Sequence, residues 1–262
     1  MKRKRIMIFV LTLALTAGVL AAVTGCGPPV AGSGNLETRE LDYSGFTKVI
    51  VSYTFQVEIT RADSFSVSIT LDDNLFQYLE VRKVGSTLHI GLKTNRTYLR
   101  TTQRATITMP DLRELELSGA TRGDVSGFTS TDSLRFEVSG ASSVSVNNME
   151  AGDTQFNISG ASKASGNIKI ADGDFDVSGA STVELEGTAD DVTIETSGAS
   201  KTNLEDFPVV NATLDVSGAS SATINASGRL DADISGASTL YYIGNPTLGD
   251  IDVSGASRVS RK

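Results

Sequence analysis

The sequence predicts an all-β chain, most of it a parallel β-solenoid (a β-helix) of about eight coils of 18–21 residues, with a less regular β-rich part ahead of them. Three observations carry this. The tripeptide Ser-Gly-Ala starts at Ser118, Ser139, Ser159, Ser178, Ser197, Ser217, Ser235 and Ser254, a near-constant step. Around each copy, apolar or small residues alternate with polar ones, as in Leu134, Phe136, Val138, Gly140, Ser142, Val144 and Val146. That period of two reads as strand with one buried face, whereas a helix needs a period of 3.6. Each copy also carries a Gly in mid-stretch, which would cost a helix about 1 kcal/mol.

The Gly-Ala step reads as a bend between two short strands, because Gly tolerates the required dihedrals and leaves room in a tight corner. Parity places the Ser or Thr after each Ala inward, where its hydroxyl needs a partner or costs about 1–3 kcal/mol. Backbone, or the Ser one coil away, can supply that partner. A Ser nucleophile would need an adjacent base, and a repeated active site does not fit such a series. The outward positions form columns. Ser139, Ala141, Ser159, Ala161, Ser178, Ala180, Ser197 and Ala199 make a finely repeated candidate binding face. An acidic column runs through Glu116, Glu137, Asp176, Glu195, Asp215, Asp233 and Asp252, with Asn157 in the same series. Stacked carboxylates about 4.8 Å apart repel by about 1 kcal/mol in water. Three arrangements relieve them: solvation, the cationic column Arg122, Lys163, Lys201 and Arg258 further along each coil, or a bound cation. The glycine-aspartate nonapeptide of calcium-binding β-rolls is absent, and no metal site or cofactor is expected.

In chain order, residues 1–25 read as a secretory signal. Lys2, Arg3, Lys4 and Arg5 form a positive start and 6–23 an apolar stretch. Val23-Thr24-Gly25-Cys26 resembles a bacterial lipobox, with Cys26, the single Cys of the chain, as the acylated residue. Residues 26–36, rich in Gly, Pro and small residues, read as a flexible tether. Residue 27 is Gly, without the Asp that commonly retains lipoproteins at an inner membrane. Residues 37–112 read as an N-terminal β region and cap. Val49, Val51, Tyr53, Phe55, Val57 and Ile59 alternate there, as do Phe65, Val67, Ile69 and Leu71. Asp72-Asp73-Asn74 reads as a turn, and Lys93 to Arg104, with four basic and no acidic residues, as an exposed hairpin loop. Residues 113–262 are the Ser-Gly-Ala solenoid. Its open last edge is either defended by the charges of Arg258, Arg261 and Lys262 or paired with a second copy.

Without residues 1–25 the chain keeps 19 basic against 31 acidic residues, a net charge of −12. That argues against nucleic acid as a partner, and against a polybasic attachment to anionic lipid. Acyl chains would hold the protein by hydrophobic transfer instead.

Tyr43-Ser44-Gly45-Phe46-Thr47-Lys48-Val49, Gly85-Ser86-Thr87-Leu88-His89-Ile90 and the serial Ser-Gly-Ala coils together resemble the bacterial family called putative auto-transporter adhesin, head GIN domain, over roughly residues 38–262. The resemblance implies a β-solenoid on secreted or envelope proteins. It implies no reaction and carries over no catalytic residues.

The expected function is therefore a non-catalytic cell-envelope lipoprotein, a surface-binding or adhesion module whose partner is an envelope protein or a glycan. It is exported across the inner membrane and lipid-anchored at the cell membrane or an outer membrane. A structural spacer or self-assembling scaffold is the alternative. A polysaccharide-active enzyme is disfavoured: the carboxylates form a ladder and not a pair in a cleft, His89 is the single His, and Trp is absent.

Overall fold

The computed structural model describes residues 28–262. Strands dominate it and form two long sheets of 11 and 12 strands. One coil shows the plan. Leu134–Val138 lies in the first sheet, Ser139 to Ser142 turn the corner, and Ser143–Glu150 lies in the second. A connector then returns the chain to the first sheet, where Thr154–Ile158 pairs parallel with Leu134–Val138, Phe136 opposite Phe156. Every later coil repeats this parallel stacking. The Ser-Gly-Ala segments accordingly stand in single file along one edge, as the β-solenoid reading requires.

The alternation fills the interior. Phe136, Phe156 and Phe175 are buried and stack with ring centroids 5.0 and 5.1 Å apart. Phe207 ends the stack edge-on at 6.5 Å. It enters from an irregularity in Lys201–Val209, where the pairing skips from Leu204 to Pro208.

The corners explain the repeat. In all eight copies the Gly has a φ between +70° and +79°, a region that favours Gly. The Ala N–H of one corner donates to the Gly carbonyl of the preceding corner at 2.7–2.8 Å from Ala141 to Ala256. The corners stack so closely that a Cβ on Gly198 would lie 2.5 Å from the Gly179 carbonyl oxygen. Ser142, Ser162, Ser181, Ser200, Ser220 and Ser238 point inward and are buried. From Thr121 to Ser238, each of these residues donates its backbone N–H to the hydroxyl of the next coil's Ser, at 3.2–3.4 Å. The buried hydroxyls thus have the backbone partner that their parity demanded.

The N-terminal part departs from sequential stacking. Lys48–Val51 lies between Thr87–Leu92 and Glu114–Leu117, parallel to both. Gln56–Arg61 lies between Gln103–Met109 and Arg122–Ser126. The coil of residues 48–61 is therefore internal, and residues 87–109 return to form the coil outside it. Tyr53 occupies the corner position that Gly holds elsewhere, at φ +79°, and its carbonyl accepts the Ala120 N–H at 2.6 Å. Antiparallel strands finish this end: Leu79–Val84 on the first sheet, Ser66–Asp72 and Leu36–Leu41 on the second.

Three expectations need correction here. The tether is docked from Val30 onward. Val30–Ala31 pairs with Tyr98–Leu99, and the Gly34 N–H donates to the buried Asp72 carboxylate at 2.7 Å. Asp72 ends the strand Ser66–Asp72 and caps a 3-10 helix, Asp73–Tyr78, that Asp73 and Asn74 begin, and these three side chains hold the docked segment. Ser33 donates its hydroxyl to Asp73 and its N–H to Asn74, while Asn74 donates to the Ala31 carbonyl. The basic segment Lys93 to Arg104 is not a hairpin loop. It crosses between the sheets at the corner of the end coil, with Tyr98 packed edge-on against Tyr53 and Tyr78. The connection lengths that marked the coils do not reveal these non-local contacts.

At the other end, among the described residues, no strand covers the outer sides of Thr247–Val253 and Arg258–Arg261. Leu248 and Val253, at core-facing positions, are 49% and 48% exposed.

Three substitutions test the corner. Gly198→Ala is expected to destabilise by about 2–4 kcal/mol, from the φ and the close carbonyl together. The exposed neighbour Ala199→Glu should change stability by no more than about 0.5 kcal/mol. Ser181→Ala removes the acceptor of the buried Ser162 N–H and should cost about 1–3 kcal/mol. Thermal melts followed by circular dichroism measure all three.

Candidate binding surface

The outward residues of the repeat lie on the turn that joins the sheets. Ala141, Ala161, Ala180 and Ala199 are exposed, and Ser139, Ser159, Ser178 and Ser197 half-buried. They form the expected column, but as a narrow ridge and not as a strand face. The backbone donors along it are already used between coils, Ser139 N–H to the Leu117 carbonyl at 2.9 Å and Ala141 N–H to the Gly119 carbonyl at 2.7 Å.

The acidic column lies on the outer face of the first sheet. Glu116, Glu137, Asn157, Asp176, Glu195, Asp215, Asp233 and Asp252 are register partners in turn. The cationic column does not relieve it. Arg122, Lys163, Lys201 and Arg258 lie beyond the corner on the second sheet, where Lys163 pairs with Glu184 at 3.1 Å. Six peptide steps separate Glu137 from Ser143, but the chain turns a corner between them. One member has a cation within the first sheet: Arg135, two residues before Glu137, contacts it at 2.5 Å. Arg229 makes the same contact with Asp231, which stands outside the acidic column. Among the described residues, no three His, Cys, Asp or Glu side chains converge as a metal site.

A second outward column runs beside the acidic one: Lys48, Glu114, Arg135, Gln155, Asp174, Thr193 and Thr213. Arg135 donates to Gln155 at 2.7 Å, and Gln155 to Asp174 at 3.3 Å. An open groove of about 700 Å³ lies along this second column, chiefly on the side away from the acidic one, between Arg135, Gln155, Asp174 and Thr193 and the strand-start residues Asp153, Asp172 and Asp191, with Arg113 at one end and Glu195 at the other. Sequence reading missed this groove. Its side chains were present at every period, but their types change from coil to coil, so the column has no motif.

Within the acidic column, Glu116 has a displaced titration. Burial raises its pKa above the ordinary carboxylate value, and the neighbouring Glu137 and Glu114 add to the effect. The folded state therefore holds this proton more tightly than the unfolded chain. The stabilisation by the protonated form is complete below the unfolded pKa and is lost as pH rises through the raised folded value. Glu116→Gln is expected to stabilise the protein at neutral pH by about 0.5–1 kcal/mol, allowing for solvent screening. The advantage should vanish below about pH 4. Paired thermal melts across pH check this; an advantage that grows in acid would contradict it.

Cys26 lies outside the described residues. No match is found among curated proteins. Solved structures share the fold. A putative adhesin from Parabacteroides distasonis superposes with a TM-score of 0.81 at 17% identity, covering 89% of this chain and 100% of its own. One from Parabacteroides merdae gives 0.81 at 20% identity, covering 90% and 100%. A protein of Parabacteroides distasonis described as a putative lipid binding protein gives 0.76 at 21%, again covering 90% and 100%. The family profile described as putative auto-transporter adhesin, head GIN domain, matches residues 45–246, most of the two-sheet rod and its capped end, and the chain belongs to that family.

Proposed function

We propose that this chain is a non-catalytic module of the cell envelope, held to a membrane through acylated Cys26, that binds an extended envelope protein or glycan along the outer face of its first sheet. The observation that carries this reading is the in-register polar column Arg135, Gln155, Asp174 and Thr193 with an open groove alongside it. Coil spacing repeats donors and acceptors about every 4.8 Å. An extended partner can meet several coils at once, each contact weak and the sum substantial. The same regularity disfavours catalysis, since the carboxylates stand along one line and not as an opposed pair around a scissile bond. Membership of an adhesin family points the same way.

A scaffold or spacer role is the second reading, and the open C-terminal end favours it. The uncovered strands and half-exposed Leu248 and Val253 suit a second copy of the chain.

Two sets of variants separate contact surfaces. Arg135→Ala with Asp174→Ala and Glu195→Ala strips the groove; Ala161→Glu with Ala180→Glu and Ala199→Glu loads the ridge. The groove set is expected to reduce adhesion of cells displaying the protein at least tenfold, with an unchanged circular dichroism spectrum. Loss with the ridge set alone moves the contact to the corner. Adhesion unaltered by both sets overturns the binding reading. If removing two whole coils, residues 159–196, then leaves function intact, the spacer reading replaces it.

A further inference from the structure

The two ends of the rod differ in charge, and the end that receives the N-terminal segment is the less acidic. Residues 113–262 hold 10 basic and 22 acidic residues, a net −12, whereas residues 28–112 hold 9 of each. The balance of −12 that spoke against anionic surfaces therefore belongs to the coils. Within the capped end, residues 79–104 carry six basic residues and one acidic, Glu80.

The docked segment meets this basic stretch directly. Val30–Ala31 pairs parallel with Tyr98–Leu99, the Val30 N–H donates to the Thr97 carbonyl at 2.8 Å, and the Gly32 N–H to the Leu99 carbonyl at 3.1 Å. One buried carboxylate ties the two together: Asp72 accepts the Gly34 N–H and the Thr102 N–H, each at 2.7 Å. Four peptide steps separate Cys26 from Val30, so the Cys cannot lie further than about 14 Å from the paired strand. Lys93 and Arg100 are exposed on this crossing, Arg96 is half-buried, and Leu99 between them is 48% exposed.

We propose that the crossing of residues 93–104 seats the capped end on the anionic headgroups of the bilayer to which Cys26 is tied. Lys93, Arg96 and Arg100 meet the headgroups, and Leu99 enters the interface. This rests on the reading of Cys26 as the acylated residue. Acyl chains hold the protein at the membrane, and the crossing decides how it stands there. Juxtamembrane cations are attracted to an anionic surface only within about a Debye length, some 8 Å at physiological ionic strength. The short reach from Cys26 keeps the crossing within or near that zone. The acidic coils are repelled by the same surface, so the rod projects away from it and its first-sheet groove is presented outward.

The test uses the full chain as the cell processes it, on vesicles of phosphatidylcholine alone and of phosphatidylcholine mixed with phosphatidylglycerol. Hydrogen exchange in residues 93–104 is expected to slow severalfold on the mixed vesicles only, and to revert at high salt. Lys93→Gln with Arg96→Gln and Arg100→Gln, checked for an unchanged melt, should abolish the difference. Mass spectrometry of the Cys26 peptide reads the anchor separately. An unacylated Cys26 overturns the anchoring reading and the seating with it. An acylated chain with identical exchange on both vesicles, or a difference that survives in the triple variant, overturns the seating alone.

Discussion

The fold depends on backbone meeting backbone at the corners. Adjacent coils can come to strand-pairing distance along a full turn only if nothing projects between them where the chain bends. At Gly140, Gly160 and Gly198, a Cβ would lie 2.5 Å from the carbonyl oxygen of the corner before. The positive φ at these positions then aims the next N–H at that same carbonyl. Once the corners are fixed, parity decides the rest: Phe and Val inward, carboxylates and hydroxyls outward, Ser closing the inner side of the bend.

Much of this was legible in the sequence because it is local and repeated. Period-two alternation identified Phe136, Phe156 and Phe175 as core, and the tripeptide spacing located the corners. What escaped has no local signal. Tyr53 sits at a corner position with a left-handed φ that a Gly would have announced. Nothing between Lys48 and Met109 states that residues 87–109 stack outside residues 48–61. That order comes from pairings between strands distant in the chain. Gly32, Ser33 and Gly34 have the composition of a free linker, yet Asp72, Asp73 and Asn74 offer them acceptors and donors that composition cannot show. The groove beside Arg135 and Asp174 was invisible for the opposite reason, since its residues vary while their register does not.

Charge follows the same division between local rule and three-dimensional placement. Along the first sheet the carboxylates are neighbours by register, and Arg135 on the same face pairs with Glu137. The cations that looked adjacent in sequence are turned away onto the second sheet. A single figure for the whole chain likewise hides a rod with an acidic body and a balanced end.

The interior position of residues 48–61 has a consequence for how the molecule assembles. Its strands need neighbours on both sides, and those come from residues 87–126. Chains emerge from the ribosome N-terminus first. The early segment must therefore wait for partners some forty to sixty residues later in the chain, an order-of-magnitude span set by the non-local topology. Every subsequent turn finds a finished template already in place. Assembly is slow at its first step and then proceeds like a zipper from the capped end.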